Sequence, residues 1–249
     1  MKFTCYLSPL AISLLIATSA RADPRLDEKV YSPYIQNGVA ELETRTAQQI
    51  GGASAGDMTT VVEGEYGVND RLSLAVVGTI ERSRADGSHF TGVGIEAVYY
   101  LGQIPKLGID TGAYLEYKHG LNGDPDALEG KLLLAKNAGR FQGLVNLIVE
   151  RPFGSSDEDF ASYGYAASAT WRTVGTLRIG GEAFGNLGTD HDFPGRQGGY
   201  AGPQVLWEAR PKGLPFEIDF DAGWLFPYGG ERGEARSQLR FGIELEKRF

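Results

Sequence analysis

From residue 38 to the end of the chain, apolar and polar residues alternate with a period of two, interrupted about a dozen times by turn-forming residues. That period is the mark of an extended strand with one apolar face. It predicts strands over 38–49, 59–68, 71–82, 90–101, 107–118 and 127–135. Six more follow over 141–151, 160–172, 177–185, 200–209, 214–226 and 235–249. After residue 23 no 3.6-residue periodicity persists, so the class is all-β. Most of these segments approach the roughly 9–11 residues of a tilted bilayer-spanning strand, well above the 5–6 usual in soluble domains.

The connections alternate in kind. Residues 69–70, 102–106, 137–139, 173–176 and 211–213 make tight turns, while 51–57, 83–89, 119–126, 154–159, 186–199 and 227–233 make longer, more polar loops. Short turns at one end and long loops at the other predict a transmembrane up-and-down antiparallel β-barrel of about 12 strands. No linker or fixed-period repeat divides the chain, so residues 23–249 form one domain. An even strand number places both ends of the barrel chain on the short-turn, periplasmic side.

Charge then separates the two strand faces. One face carries Glu41, Glu43, Glu63, Glu65, Glu96, Asp110, Glu116, Glu182, Asp219, Asp221, Arg236 and Arg240, which are the candidate lumen-lining residues. Glu129, Lys131, Arg178, Glu217, Glu244 and Glu246 share that face. The opposite face is aliphatic, small or aromatic. Tyr66, Tyr99, Tyr117, Phe141, Trp171, Trp207, Phe216, Phe226 and Phe249 lie on it, mainly near strand ends. Aromatics at strand ends fit interfacial girdles. Twelve strands with apolar faces inward would also enclose more volume than Ala- and Gly-rich faces can fill. The apolar face is therefore expected to meet lipid.

Composition adds three points. The chain has 35 Gly, and a net charge of -8 with no basic stripe excludes a nucleic-acid partner. Mean hydropathy is -0.23, a value that an alternating membrane barrel averages to. At the N-terminus Lys2 precedes an apolar run, and Ala20-Arg21-Ala22 forms a small-x-small cleavage site. Residues 1–22 thus read as a Sec-type signal peptide, with the mature chain beginning near Asp23. Its removal takes away Lys2 and Arg21, moving the charge from -8 to -10, and also the sole cysteine, Cys5.

Candidate catalytic chemistry is sparse. His89, His119 and His191 fall in loops or at strand ends. Ser88 and His89 are adjacent, which is poor geometry for a nucleophile–base pair. Asp190-His191-Asp192 reads as a solvated loop tip, because a structural metal site usually needs four ligands. No enzyme, cofactor or metal is expected. Arg82 and Arg151, on the apolar face near the loop side, suit lipopolysaccharide phosphates or snorkelling.

The final strand, ending at Phe249, resembles the signal read by the barrel-insertion machinery of bacterial outer membranes, with Lys247 a departure from the usual pattern. EYGVNDRLSLAVVG (65–78), GIEAVYYLG (94–102), GGEAFGNLG (180–188) and YAGP (200–203) resemble transporter-type barrels of the MetA-pathway of phenol degradation family. The resemblance implies an outer-membrane location and transport. The expected function is a passive or weakly selective channel for small polar or cationic solutes. The alternatives are a plugged structural or adhesion barrel acting through its outer loops, then an outer-membrane lipase. Expected partners are membrane lipid, lipopolysaccharide, the insertion machinery and the solutes.

Overall fold

The computed structural model describes residues 26, 28–85, 87–154, 160–195 and 198–249; the expected signal peptide lies outside them. The first six strands are β1 (Val39–Ile50), β2 (Met58–Asn69), β3 (Leu72–Ser83), β4 (Gly87–Ile104), β5 (Ile109–Gly120) and β6 (Asp126–Ala138). They continue as β7 (Phe141–Phe153), β8 (Ser162–Arg172), β9 (Arg178–Thr189), β10 (Gly198–Ala209), β11 (Glu217–Gly229) and β12 (Ser237–Arg248). Each pairs antiparallel with its sequence neighbours, and β12 closes on β1 from Val39↔Arg248 to Ile50↔Ser237. The molecule is a closed twelve-stranded up-and-down barrel. Closure leaves no sheet edge unpaired, which is the condition for strands to cross a bilayer.

Strand positions follow the alternation closely, and the departures have local causes. β4 is 18 residues long because its ladders continue through bulges at Thr79/Ile80 toward β3 and at Tyr100/Gly102 toward β5. β12 starts at Ser237, so Arg236 precedes it as an exposed residue rather than lining the wall. A Cβ at Gly51, in the β1–β2 loop, would lie 2.8 Å from the Arg236 Cδ.

Burial alternates along the strands. Outward positions include Val76, Ile95, Leu115, Leu147, Trp224 and Phe241, with Val76 64% and Ile95 62% exposed. A water-soluble monomer rarely exposes an apolar patch of more than a few hundred Å². Here the patch encircles the barrel, with Tyr66, Tyr99, Trp171, Trp207 and Phe226 exposed near strand ends. Inward positions are mainly polar, but not uniformly. Phe184, Tyr200, Leu225 and Ala166 are fully buried inside, with Ala235 of the β11–β12 loop joining them. The alternation predicted a polar interior; these residues instead form an apolar cluster toward the long-loop end.

Candidate functional site

The lumen is crossed by the segment that leads into β1. Residues 28–37 enter from the short-turn end, where Gly38 N–H donates to the Gly67 carbonyl at 2.8 Å. Gly67 allows this passage, since a Cβ there would stand 2.0 Å from the Gln36 carbonyl oxygen. Deeper in, Pro33 is fully buried against Gly112, where a Cβ would lie 2.8 Å from the proline Cβ. The missing side chain on β5 makes the groove that the segment occupies.

At the mouth, Tyr34 O–H donates to Asp110 at 2.8 Å and accepts from Asn137 at 2.9 Å. Tyr100 donates to the other Asp110 oxygen at 2.7 Å. Burial first, then the bond to Asp110, push the Tyr34 phenol up to about 12, so it stays a donor at neutral pH. Gln36 donates to Glu246 at 3.0 Å.

Midway, Tyr31 is clamped on all sides. Its N–H donates to the Asn146 Oδ1 at 2.7 Å, and its carbonyl accepts from the Asn146 Nδ2 at 2.9 Å. One buried amide side chain thus does for the segment what a neighbouring strand would do. The Tyr31 hydroxyl donates to Glu96 at 3.1 Å, and its ring packs 4.6 Å from that of Tyr114. The Lys131 ammonium lies 4.6 Å above both rings while bridging Glu28 at 2.5 Å and Glu129 at 3.0 Å. Lys29 pairs with Glu43, and the Arg240 guanidinium donates to the Glu28 carbonyl.

The wall behind this segment is strongly acidic. Glu41 stands opposite Glu65 and Glu246, Glu43 opposite Glu63 and Glu244, and Asp219 opposite Glu244. Like charges in direct register are destabilising unless cations intervene. Arg45 is one such cation, 2.5 Å from Glu63 and 3.2 Å from Glu43. Arg240 lies 4.0 Å from Glu182 and 4.1 Å over the Phe184 ring. Near the mouth, Glu41, Glu244 and Glu246 bring oxygens within 4.8 Å of one another, a spacing that one hard cation can share.

Of the twelve sequence candidates, Glu41, Glu43, Glu63, Glu65, Glu96, Asp110, Glu116, Glu182, Asp219, Asp221 and Arg240 stand on the enclosed strand faces. Arg236 does not. The sequence reading missed Glu28, Lys29, Tyr31, Pro33 and Tyr34, which precede the alternating region, and Asn146, which looks like any polar strand residue. The Tyr-Ser-Pro-Tyr run at 31–34 was the available signal: aromatics and a proline where a free terminus would be polar. The histidines have separate settings: His119 pairs with Asp126 at 2.8 Å, His191 lies 6.2 Å from the Phe160 ring, and His89 stands opposite Glu81.

A closed, apolar-belted, up-and-down barrel is the fold of bacterial outer-membrane barrels, and three solved structures share that fold. The outer-membrane channel of the COG4313 type from Pseudomonas putida F1 matches at TM-score 0.59 and 11% identity, over 92% of this chain and 100% of that one. The KdgM porin matches at TM-score 0.53 and 10% identity, over 84% and 99% of the two chains. Its complex with disordered oligogalacturonate matches at TM-score 0.54 and 9% identity, over the same shares. At such identities the likeness is one of fold. No family model and no curated protein matches the sequence, so the MetA-pathway resemblance is not supported as family membership.

Proposed function

We propose that the protein is an outer-membrane channel for small polar or cationic solutes, held closed at rest by residues 28–37. The carrying observation is the contrast between an apolar exterior and an acidic wall that closes around the segment leading into β1, which is joined to the barrel at one end and held elsewhere by hydrogen bonds and ion pairs. A wall rich in carboxylates raises the local concentration of cations and disfavours anions. In this reading residues 1–22 are a removed export signal, and the barrel is inserted by the outer-membrane machinery. Phe249 then serves as the assembly signal, and the exterior meets lipid and lipopolysaccharide, with Arg82 and Arg151 toward the phosphates. We assign it no catalytic role and no cofactor.

Conductance of refolded protein in a planar bilayer tests the reading. The wild type should show low, flickering conductance, and Asn146→Leu, which unclamps Tyr31, should raise it. A silent variant that is folded by gel mobility would favour the second reading, a permanently plugged structural or adhesion barrel. The density of bonds along residues 28–34 is what favours that alternative. Phospholipid release by the same preparations would instead establish a lipase. Mass spectrometry of the membrane-inserted chain should give a mature N-terminus near Asp23; Met1 retained would overturn the export step.

A further inference from the structure

The segment in the lumen is held in the manner of a ligand. Four consecutive residues each meet a receiver on the wall: Glu28 on Lys131, Lys29 on Glu43, Val30 against the Phe184–Leu225 cluster, and Tyr31 between Tyr114 and Glu96. Asn146 meanwhile reads the N–H and the C=O of Tyr31 together. Filling a lumen needs none of this order: bulk alone would do it. A receiver for each side chain plus a backbone reader is the anatomy of peptide recognition.

We propose that the barrel contains a peptide-binding site and that Glu28–Tyr31 is its tethered resident. Its free ligands are short peptides with an aromatic residue, a basic residue two positions before it and an acidic one before that. The inference deepens the channel reading and rests on it for the role of such peptides as solutes, though not for the binding. A tether of this length gives the resident an effective concentration on the order of millimolar, so a free peptide competes only when the resident is weakened. Exchange then couples arrival of a solute to release of the segment that blocks its path.

The test uses the full chain with Lys29→Ala and Tyr31→Ala together, which strips two anchors from the resident and leaves every barrel strand unchanged. Acetyl-Glu-Lys-Val-Tyr-amide is titrated calorimetrically into detergent-solubilised protein. Binding to the double variant should be at least tenfold tighter than to wild type, and at least tenfold tighter than that of the reversed peptide acetyl-Tyr-Val-Lys-Glu-amide. Adding Asn146→Leu to the double variant should remove most of this affinity. No binding to the folded double variant, or equal binding of the two peptides, would overturn the proposal. So would equal binding by wild type. Bilayer conductance of the same double variant separates this from the channel reading. Raised conductance without peptide binding would leave the channel and sink the site; peptide binding without conductance would do the reverse.

Discussion

Asn146 shows how much one side chain decides inside a barrel. It is completely buried and spends both ends of its amide on the backbone of one residue 115 positions away. Leucine has the same number and branching of side-chain heavy atoms but leaves the Tyr31 N–H and C=O unpaired. Leaving a buried polar group unsatisfied costs roughly 1–3 kcal/mol, and partial rehydration of the loosened segment should limit the total to about 2–3 kcal/mol. That corresponds to a roughly 30- to 150-fold rise in the open-to-closed ratio, readable as channel open time in Asn146→Leu. Arg45 acts on the wall itself. It lies between Glu43 and Glu63, which face each other across β1 and β2, so Arg45→Met leaves two buried carboxylates in register. Removing one member of a buried ion pair typically costs about 3–5 kcal/mol. The urea midpoint for loss of the folded gel band should fall clearly, and Glu63→Gln on the Arg45→Met background should restore part of it. Neither role was legible in the sequence, because Asn146 and Arg45 carry no pattern of their own and their partners lie on other elements.

At the scale of elements the position is reversed. A strand's period of two is a local property, so the twelve strands could be read from the chain; the largest extension came where bulges continue a ladder, as at both ends of β4, while β11 starts and ends three residues later than expected without a bulge. Residues 28–37 have no period and no regular hydrogen-bond ladder, so only the assembled wall gives them a place. The last strand carries a prediction of its own. Phe249 is 76% exposed, its N–H donates to the Gly38 carbonyl at 2.8 Å, and the Lys247 ammonium lies 4.7 Å from its ring. The lysine that departs from the expected ending thus sits over the terminal aromatic. Phe249→Asp should reduce folded yield in the membrane more than Phe193→Asp, whose ring packs 5.4 Å from Tyr163 in the β9–β10 loop region. Equal yields by heat-modifiable mobility would mean that the ending is incidental to assembly.

For the molecule as a whole, the proposed channel reading makes orientation and charge together the determinants of how an opened lumen would treat ions. On β11 the outward residues are Ile218 and Phe220, the latter stacked on Trp207 at 5.5 Å, while Asp219 and Asp221 share the enclosed face. Ile218→Asp should therefore impair insertion, because a charge would face lipid, whereas Asp219→Asn and Asp221→Asn should leave folded yield nearly unchanged. The reverse pattern would mean that the barrel is turned inside out. On the proposed channel reading the same pair of aspartates also contributes to selectivity. Of the lumenal cations, Arg45 is engaged with Glu43 and Glu63, Lys131 with Glu28 and Glu129, and Arg240 with Glu182, so the mouth carboxylates Glu41, Glu65, Asp219, Glu244 and Glu246 keep a net negative field. An opened passage of modest width lies within about one Debye length of that wall, ~8 Å at physiological salt. With the segment loosened by Asn146→Leu, reversal potentials should show preference for K⁺ over Cl⁻, and the preference should fall as salt rises from about 0.1 M to 1 M, where the screening length shrinks to ~3 Å. Asp219→Asn with Asp221→Asn should weaken it further at low salt and change little at high salt. Anion preference in a well-folded, conducting variant would remove the cation reading and leave the barrel standing.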